Sequence, residues 1–335
     1  MYADIPLYLS VVFVLGGLAA LACSSDAFVD AASKIARALG VSPFIIGMVI
    51  IGFGTSAPEL CVSALSSCSG HSSLSLGNAF GSDIFNIAGI LGVAALIRPL
   101  VVKPAVVYGA VPALVAIAVF SCVLVGTGDG FSRLDGILQL AVFLVLLPAY
   151  CWFDQKTNPP APSGATEEPV AKSGTKGLLG AWIKLGVGLT VLVGSSHVLV
   201  WGSVDMARAL GVSELVIGLT IVAIGTSLPE LASAVASARR GEHEFVLGNI
   251  IGSNFFNTLA VVGLAGSISP FKNISPYILR RDLPVMVLLS MSIALFGVNW
   301  RKPREKGCIS RWEGAIWVCV FVAYSLLMAY QELHG

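Results

Sequence analysis

Residues 52–60 read Gly52-Phe53-Gly54-Thr55-Ser56-Ala57-Pro58-Glu59-Leu60, and residues 223–231 read Ala223-Ile224-Gly225-Thr226-Ser227-Leu228-Pro229-Glu230-Leu231. The offset is 171, and it holds well beyond these positions. Ala36 to Ser42 returns unchanged as Ala207 to Ser213. Gly77-Asn78 and Gly81-Ser82 return as Gly248-Asn249 and Gly252-Ser253, and Phe85-Asn86 returns as Phe256-Asn257. From Ala36 to Pro99, about 29 of 64 aligned pairs are identical without a gap. Self-similarity at that level marks an internal repeat.

The setting of the repeat follows from composition. Of 335 residues, 56% are apolar and 12% charged, with a formal net charge of +1 and a mean hydropathy of +0.86. Soluble domains carry about 25% charged residues. These values exclude a disordered chain, a nucleic-acid binder with a basic surface and an ordinary cytosolic enzyme. Ten apolar segments run roughly over 6–33, 43–67, 77–97, 104–126, 134–152, 178–204, 213–238, 245–268, 278–298 and 312–330. Their length of about 20 residues suits membrane-spanning helices. The expected fold is an all-α polytopic membrane protein. Met1-Tyr2-Ala3-Asp4 gives no basic start, so the first segment reads as a mature helix and not as a signal peptide.

Asp154 to Lys176, rich in Pro, Ser, Thr and charge, has no apolar run and reads as a flexible connector. The chain divides into a first repeat (1–152), a connector (153–177) and a second repeat (178–335). Each half has five spans. An odd number makes the second half enter the membrane from the opposite side, giving an inverted repeat of the kind found in secondary transporters. Fourteen of the 20 Lys and Arg residues, among them Lys34, Arg37, Arg98, Lys103, Arg239, Arg240 and Arg301, fall on one side. Arg133, Arg208, Lys272, Arg280 and Arg281 fall on the other. The positive-inside rule places the richer side and the connector in the cytoplasm, with both termini outside. The seven cysteines form no CxxC pair and read as small buried hydrophobes, with no disulfide framework and no zinc site.

Glu59 and Glu230 each lie inside an apolar segment. An ionisable side chain at the centre of a span costs about 2.5–3.5 kcal/mol on insertion scales, so it needs a reason. Pairing with a base is one reason, but neither span holds Lys or Arg, and Lys184 in the sixth is the nearest base within a span. A cation site is the other. Gly52, Thr55, Ser56 and Glu59 fall at i, i+3, i+4 and i+7 and share a helix face, as do Ala223, Thr226, Ser227 and Glu230. Pro58 and Pro229 lack an N–H and crowd the carbonyl four residues back, which frees backbone oxygens beside each carboxylate. A proline kink used only for packing is the plainer reading of each proline, though not of twinned prolines beside twinned glutamates.

The third and eighth spans supply the other wall. Asn78, Ser82 and Asn86 share a face at i, i+4 and i+8, and Asn249, Ser253 and Asn257 repeat it. Gly77, Gly81, Gly248 and Gly252 form two GxxxG patterns that favour close packing. Asn78 and Asn249 suit helix-packing hydrogen bonds as well as ligation. Ser82, Asn86, Ser253 and Asn257, placed deeper, read as ligands. Asp83 stands where the second half has Asn254, and reads as a hydrogen-bonding partner for a neighbouring helix ahead of a third site carboxylate. Asp26 and Asp30 read as boundary charges near Lys34, His197 as a packed polar residue, and His71, His243 and Glu244 as solvated loop residues. The donor set is all oxygen, which suits hard ions such as Ca²⁺ and Na⁺. Two carboxylates balance one Ca²⁺, two Na⁺ or two protons.

The twin segments GTSAPEL with GNAFGSDIFN and GTSLPEL with GNIIGSNFFN resemble the two alpha repeats of the sodium/calcium exchanger family, within the cation/calcium exchanger superfamily. The short connector resembles that of the compact prokaryotic type. The resemblance implies that Glu59 and Glu230 bind Ca²⁺, helped by backbone oxygens of Thr55 and Thr226. It implies that Ser56, Ser82, Ser227 and Ser253, with carbonyls of Gly52 and Ala223, complete Na⁺ sites, and that Asn86 and Asn257 contact the central site. It further implies alternating access, with the first and sixth helices sliding across a core. Well-known members carry an aspartate at one of the positions matching Asn86 and Asn257, and here both are asparagine. That removes one possible negative charge and leaves Na⁺, H⁺ and K⁺ open as the coupling ion.

The resulting expectation is a Ca²⁺/Na⁺ antiporter in the cell membrane that exports Ca²⁺, with the bilayer and the ions as partners, no cofactor and no nucleic acid. A proton-coupled or K⁺-dependent exchanger of the same fold is the alternative. A passive channel fits paired inverted repeats poorly. An intramembrane hydrolase lacks its base, since His197 is the one histidine within a span and no GxSxG occurs.

Overall fold

The computed structural model describes residues 7–68, 72–126, 130–157, 175–209, 223–272 and 274–334. The apolar segments form helices. Helix α1 covers Leu7–Leu39 and stops at Gly40, whose φ of 60° suits a residue without a Cβ. Helix α2 covers Pro43–Thr55, opened by Ser42, which accepts from Ile45 N at 3.2 Å with Pro43 at the first turn. Helix α3 is Ala57–Cys68. Helix α4 runs through Ser72–Ile84, a π-helical stretch Phe85–Leu91 and Gly92–Ile97. Helices α5 (Val106–Gly126) and α6 (Arg133–Thr157) complete the first half.

Helix α7 is Thr175–Ala209. The short α8 (Ala223–Gly225) is followed by α9 (Leu228–Arg240) and by α10 (His243–Ile268), which is π-helical over Phe256–Val261. That stretch and the one at Phe85–Leu91 begin at the repeat-related Phe85 and Phe256. Helix α11 starts as a π-helical turn at Ile278–Asp282 and continues over Leu283–Gly297, and α12 is Arg311–His334.

Seven helices among the described residues are long and apolar enough to cross a membrane, or eight if the bent pair α2 and α3 is one span. The chain is therefore a multi-pass helical membrane protein, but ten spans are not reached on this measure. The ninth expected segment carries Arg280, Arg281 and Asp282 in its first turn, which leaves an apolar helix of 15 residues. The seventh is split between α8 and α9, and its residues 213–222 lie outside the described part.

Two short two-stranded ribbons link the halves. Strand β1 (Leu100–Val102) pairs antiparallel with β4 (Gly307–Ile309), and β2 (Gly130–Phe131) pairs antiparallel with β3 (Phe271–Lys272). Each ribbon joins one strand from before the connector to one from after it.

Burial is inverted for the polar residues. Large apolar side chains such as Leu134, Leu144, Val145 and Leu326 cover the outer surface. The centre is α10, buried along its whole apolar window, beside a largely buried α4. Gly248 and Gly252 let α10 lie directly on α2, since a Cβ there would overlap the carbonyls of Phe44 and Met48.

Helices α1 and α7 form an antiparallel pair. Ser10 meets Asp205 at 2.6 Å near one end, and Asp30 meets Lys184 at 2.6 Å near the other. Their apolar contacts, centred on Phe28, Ile35, Leu185 and Leu192, belong to a second cluster that also takes in Ile46 and Ile51 of α2 and Phe245 of α10. Five of the seven cysteines (Cys23, Cys61, Cys68, Cys308 and Cys319) are exposed, contrary to the expectation of buried ones. A thiol is small and weakly polar, so a surface facing hydrocarbon accepts it as readily as a core does.

Candidate cation-binding site

The glutamates owe their position to two broken helices. In the first half the helical path turns at Ser56 (φ −82°, ψ 3°), and α2 meets α3 at a 42° bend. Ser56 N–H still reaches Gly52 O at 3.0 Å, and Leu60 N–H reaches Ser56 O at 3.1 Å. Pro58 has no N–H to offer Gly54 O. In the second half the chain turns at Thr226 and Ser227 (φ −93°, ψ 12° at Ser227), with Pro229 in the first turn of α9. Restarting the helix at these breaks puts Glu59 in the first turn of α3 and Glu230 in the first turn of α9. The partial positive charge of a helix N-terminus favours a carboxylate there. Sequence reading located the breaks and the carboxylates but not this relationship.

The two carboxylates are fully buried and are held across the repeat. Ser56 Oγ donates to Glu230 Oε1 at 3.1 Å, and Ser227 Oγ donates to Glu59 Oε1 at 3.2 Å. Ser227 Oγ also lies 3.3 Å from Ser82 Oγ, which brings α4 to the same place. Thr55 Oγ1 turns back onto Ile51 O at 3.0 Å and lies 3.3 Å from Asn249 Oδ1. Gly52 O is engaged by Ser56 N–H, and Ala223 begins α8 at the edge of the described residues.

The polar inventory exceeds the partners available. Glu59 Oε2, Glu230 Oε2, Ser253 Oγ and Asn86 Oδ1 are buried without a hydrogen-bond partner. Buried polar atoms are nearly always paired, so a cluster of unpaired oxygens needs explaining. Among the described residues no base forms an ion pair with either glutamate. Lys184, the base within the sixth expected span, is bound to Asp30. The arrangement therefore offers two carboxylates and two free neutral oxygens, a fit for a hard cation.

Other sequence expectations divide. Asn249 serves packing, with its Nδ2 3.0 Å from Ser233 Oγ and 3.4 Å from Glu230 O, and Asn78 reaches Ser63 Oγ at 3.2 Å. Asp83 bonds a neighbouring helix, as expected, by accepting from Thr258 Oγ1 at 2.7 Å. Thr258 and Asn254 were missed, because only the crossing of α4 and α10 brings them to Asp83. His197 is exposed and not packed. His243 and Glu244 lie in the first turn of α10, and Glu244 pairs with Lys103 at 2.6 Å, so neither is a free loop residue. His71 lies outside the described residues.

Asp26 and Asp30 do more than mark a boundary. Asp30 binds Lys34 and Lys184, and Arg240 donates to Asp26 O at 2.8 Å, so this end of α1 is tied to both α7 and α9.

The sequence profile of the family described as "Sodium/calcium exchanger protein" matches residues 9–152 and 180–330. The putative antiporter CaxA of Alkalimonas amylolytica is 38% identical over 95% of this chain and 98% of its own length. The sodium/calcium exchanger MaX1 of Methanosarcina acetivorans is 31% identical over 95% of this chain and 97% of its own. Among solved structures, the sodium-calcium exchanger NCX_Mj superposes with a TM-score of 0.80 at 31% identity, covering 95% of this chain and 98% of that one.

Proposed function

The chain belongs to the sodium/calcium exchanger family, and from that premise we propose that it is a secondary cation antiporter exchanging Ca²⁺ for Na⁺ by alternating access. The observation that carries this reading is the pair of buried glutamates, each held by the serine of the other half and each with one free oxygen. Glu59 and Glu230 balance one Ca²⁺ or two Na⁺, so the site alternates between neutral loads. Thr55 and Thr226 lend backbone oxygens to Ca²⁺. Ser56, Ser82, Ser227 and Ser253, with the carbonyls of Gly52 and Ala223, form the Na⁺ positions, and Asn86 and Asn257 contact the centre. The cargo is ionic and needs no cofactor or enzymatic step.

Two inverted repeats, residues 1–152 and 178–335, carry the ten spans, with the connector in the cytoplasm and both termini outside. In a bacterium the protein would occupy the inner membrane. Helices α1 and α7, packed on each other along their length, are the unit that slides against the rest. A net exchange of three Na⁺ for one Ca²⁺ would move one charge and respond to voltage. Export of Ca²⁺ is the direction an inward Na⁺ gradient would drive. The neutral Asn86 and Asn257 favour, as second reading, an exchanger of the same fold coupled to H⁺ or dependent on K⁺.

The test is radioactive Ca²⁺ uptake into proteoliposomes loaded with Na⁺, diluted into choline or into Na⁺ at fixed pH. Uptake that needs the outward Na⁺ gradient is the expected result. Uptake indifferent to Na⁺ but driven by an imposed proton gradient would replace it with the second reading.

A further inference from the structure

We propose that the cleft between Lys103 and the stretch Arg304–Lys306 binds the phosphate of an anionic phospholipid. Such a site lies outside the ion pathway and does not rest on which ions are exchanged. Strands β1 and β4 pair Val102 with Gly307, so the next residues outward, Lys103 and Lys306, stand opposite each other where the ribbon opens. Like charges placed opposite across a ribbon repel. Both lysines line an open cleft of about 620 Å³, together with Pro104, Ala105, Arg304 and Glu305. Glu305 is bound to Lys302 at 2.9 Å, and Lys103 to Glu244 at 2.6 Å. Among the described residues, Arg304 and Lys306 have no carboxylate partner. The cleft therefore keeps two uncompensated cations.

The loop that offers them is held in shape. Asn299 Oδ1 accepts from Lys302 N–H at 3.1 Å, and Asn299 Nδ2 donates to Lys306 O at 3.3 Å. Glu305 N–H reaches Lys302 O at 2.9 Å. A Cβ at Gly307 would collide with the carbonyl of Gly297, so the end of the loop packs directly on the end of α11. These contacts fix the backbone on both sides of Arg304.

The setting selects the ligand. Trp300, just after α11, and Trp312, in the first turn of α12, are 70% and 82% exposed. Tryptophans at the ends of spans belong at the headgroup level of a bilayer. Pro104 and Ala105 give the cleft an apolar wall, and Tyr108, four residues on from Pro104, is exposed. An anionic phospholipid matches both parts, with a phosphate for the cations and a glycerol and acyl chains for the apolar wall. The feature is confined to one end of the molecule. At the repeat offset of 171, Ile274 follows β3 where Lys103 follows β1, and Thr127-Gly128-Asp129 before β2 holds no base. A ribbon of this kind therefore forms without the cations. A topological charge bias asks only for basic residues somewhere on one side, whereas the cleft asks for them at 304 and 306.

The experiment follows the melting temperature of the purified chain in neutral detergent as dioleoyl-phosphatidylglycerol or dioleoyl-phosphatidylcholine is added in mixed micelles. Phosphatidylglycerol should raise the melting temperature and phosphatidylcholine should not. Arg304→Gln with Lys306→Gln should raise the half-effective phosphatidylglycerol content at least about tenfold. Arg301→Gln with Arg311→Gln removes the same charge beside the cleft and should stay within about threefold of the unaltered chain. Glu305→Gln takes the carboxylate out of the lining and should lower the half-effective content, a gain that carries the test if the first pair fails to fold. Equal losses in the two arginine-containing pairs would overturn the cleft in favour of diffuse surface attraction. Inorganic phosphate that reproduces the stabilisation and abolishes the lipid effect would overturn phospholipid as the source of the phosphate. An unaltered chain indifferent to phosphatidylglycerol would overturn the site altogether. Ca²⁺ transport is not part of this readout, so failure of the exchanger reading would leave the result standing.

Discussion

Ser56 and Glu230 lie 174 residues apart and are joined by one hydrogen bond of 3.1 Å. Their repeat mates, Ser227 and Glu59, make the same bond in the opposite sense at 3.2 Å. Neither glutamate is held by the serine three residues before it. The site therefore exists only when the two halves are together, and the crossing bonds are what join them at the centre.

Coupling should follow that crossing. In a double-mutant cycle on Ca²⁺ affinity, Ser56→Ala with Glu230→Gln should show an interaction of roughly 1 kcal/mol or more, the scale of a hydrogen bond to a charged group. Ser56→Ala with Glu59→Gln should be close to additive. Isothermal titration of the four proteins in each cycle decides it, and equal coupling in both cycles would contradict the geometry.

Neutralising one glutamate should separate stability from binding. Two buried carboxylates repel each other and lose hydration, so Glu59→Gln should raise the melting temperature in ion-free buffer. The same substitution should weaken Ca²⁺ binding by at least about a hundredfold, near 2.7 kcal/mol. A melting curve with and without Ca²⁺ reads both effects, which are expected to have opposite signs.

The prolines should matter through the backbone. Pro58→Ala restores an N–H that can bond Gly54 O and lets α2 run into α3. The expected outcome is a chain that is as stable as before or more so, with Ca²⁺ affinity reduced about tenfold because Glu59 leaves its helix N-terminus. Pro229→Ala should do the same to Glu230. Ca²⁺ binding beside circular dichroism checks both.

Glu242, between α9 and α10, gives a pH signature outside the spans. Half-burial pushes its carboxyl above the usual range, against the pull of the Ser33 hydroxyl and of Arg240 and Arg37. A carboxyl raised on folding contributes stability that is fully present below its unfolded pKa and is lost as pH rises through the folded one. Glu242→Gln should therefore raise the melting temperature at pH 7 and leave it unchanged at pH 4. The difference between the two melting curves is the measurement.

Much of this was legible in the chain. The repeat gave Glu59 and Glu230, and the prolines gave the breaks, because both are local patterns of residue type and spacing. The crossing of Ser56 to Glu230 was not legible, since spacing along one helix cannot say which carboxylate a serine meets. The role of Thr258 was hidden for the same reason: its partner Asp83 is 175 residues away. Spacing left Asn249 open between packing and ligation, and the approach of α9 turns its amide to Ser233. Exposure of Cys61 and Cys319 ran against expectation because an apolar segment has an outer face as well as an inner one.

The central claim is that Glu59 and Glu230 make one cation site between them. Its most direct test is equilibrium binding of radioactive Ca²⁺ to the purified chain, with Glu59→Gln, Glu230→Gln and the double variant alongside. The account predicts one Ca²⁺ per chain, displaced by Na⁺, and lost to the same degree in either single variant and in the double. A single variant that keeps its Ca²⁺ with near-native affinity would contradict it.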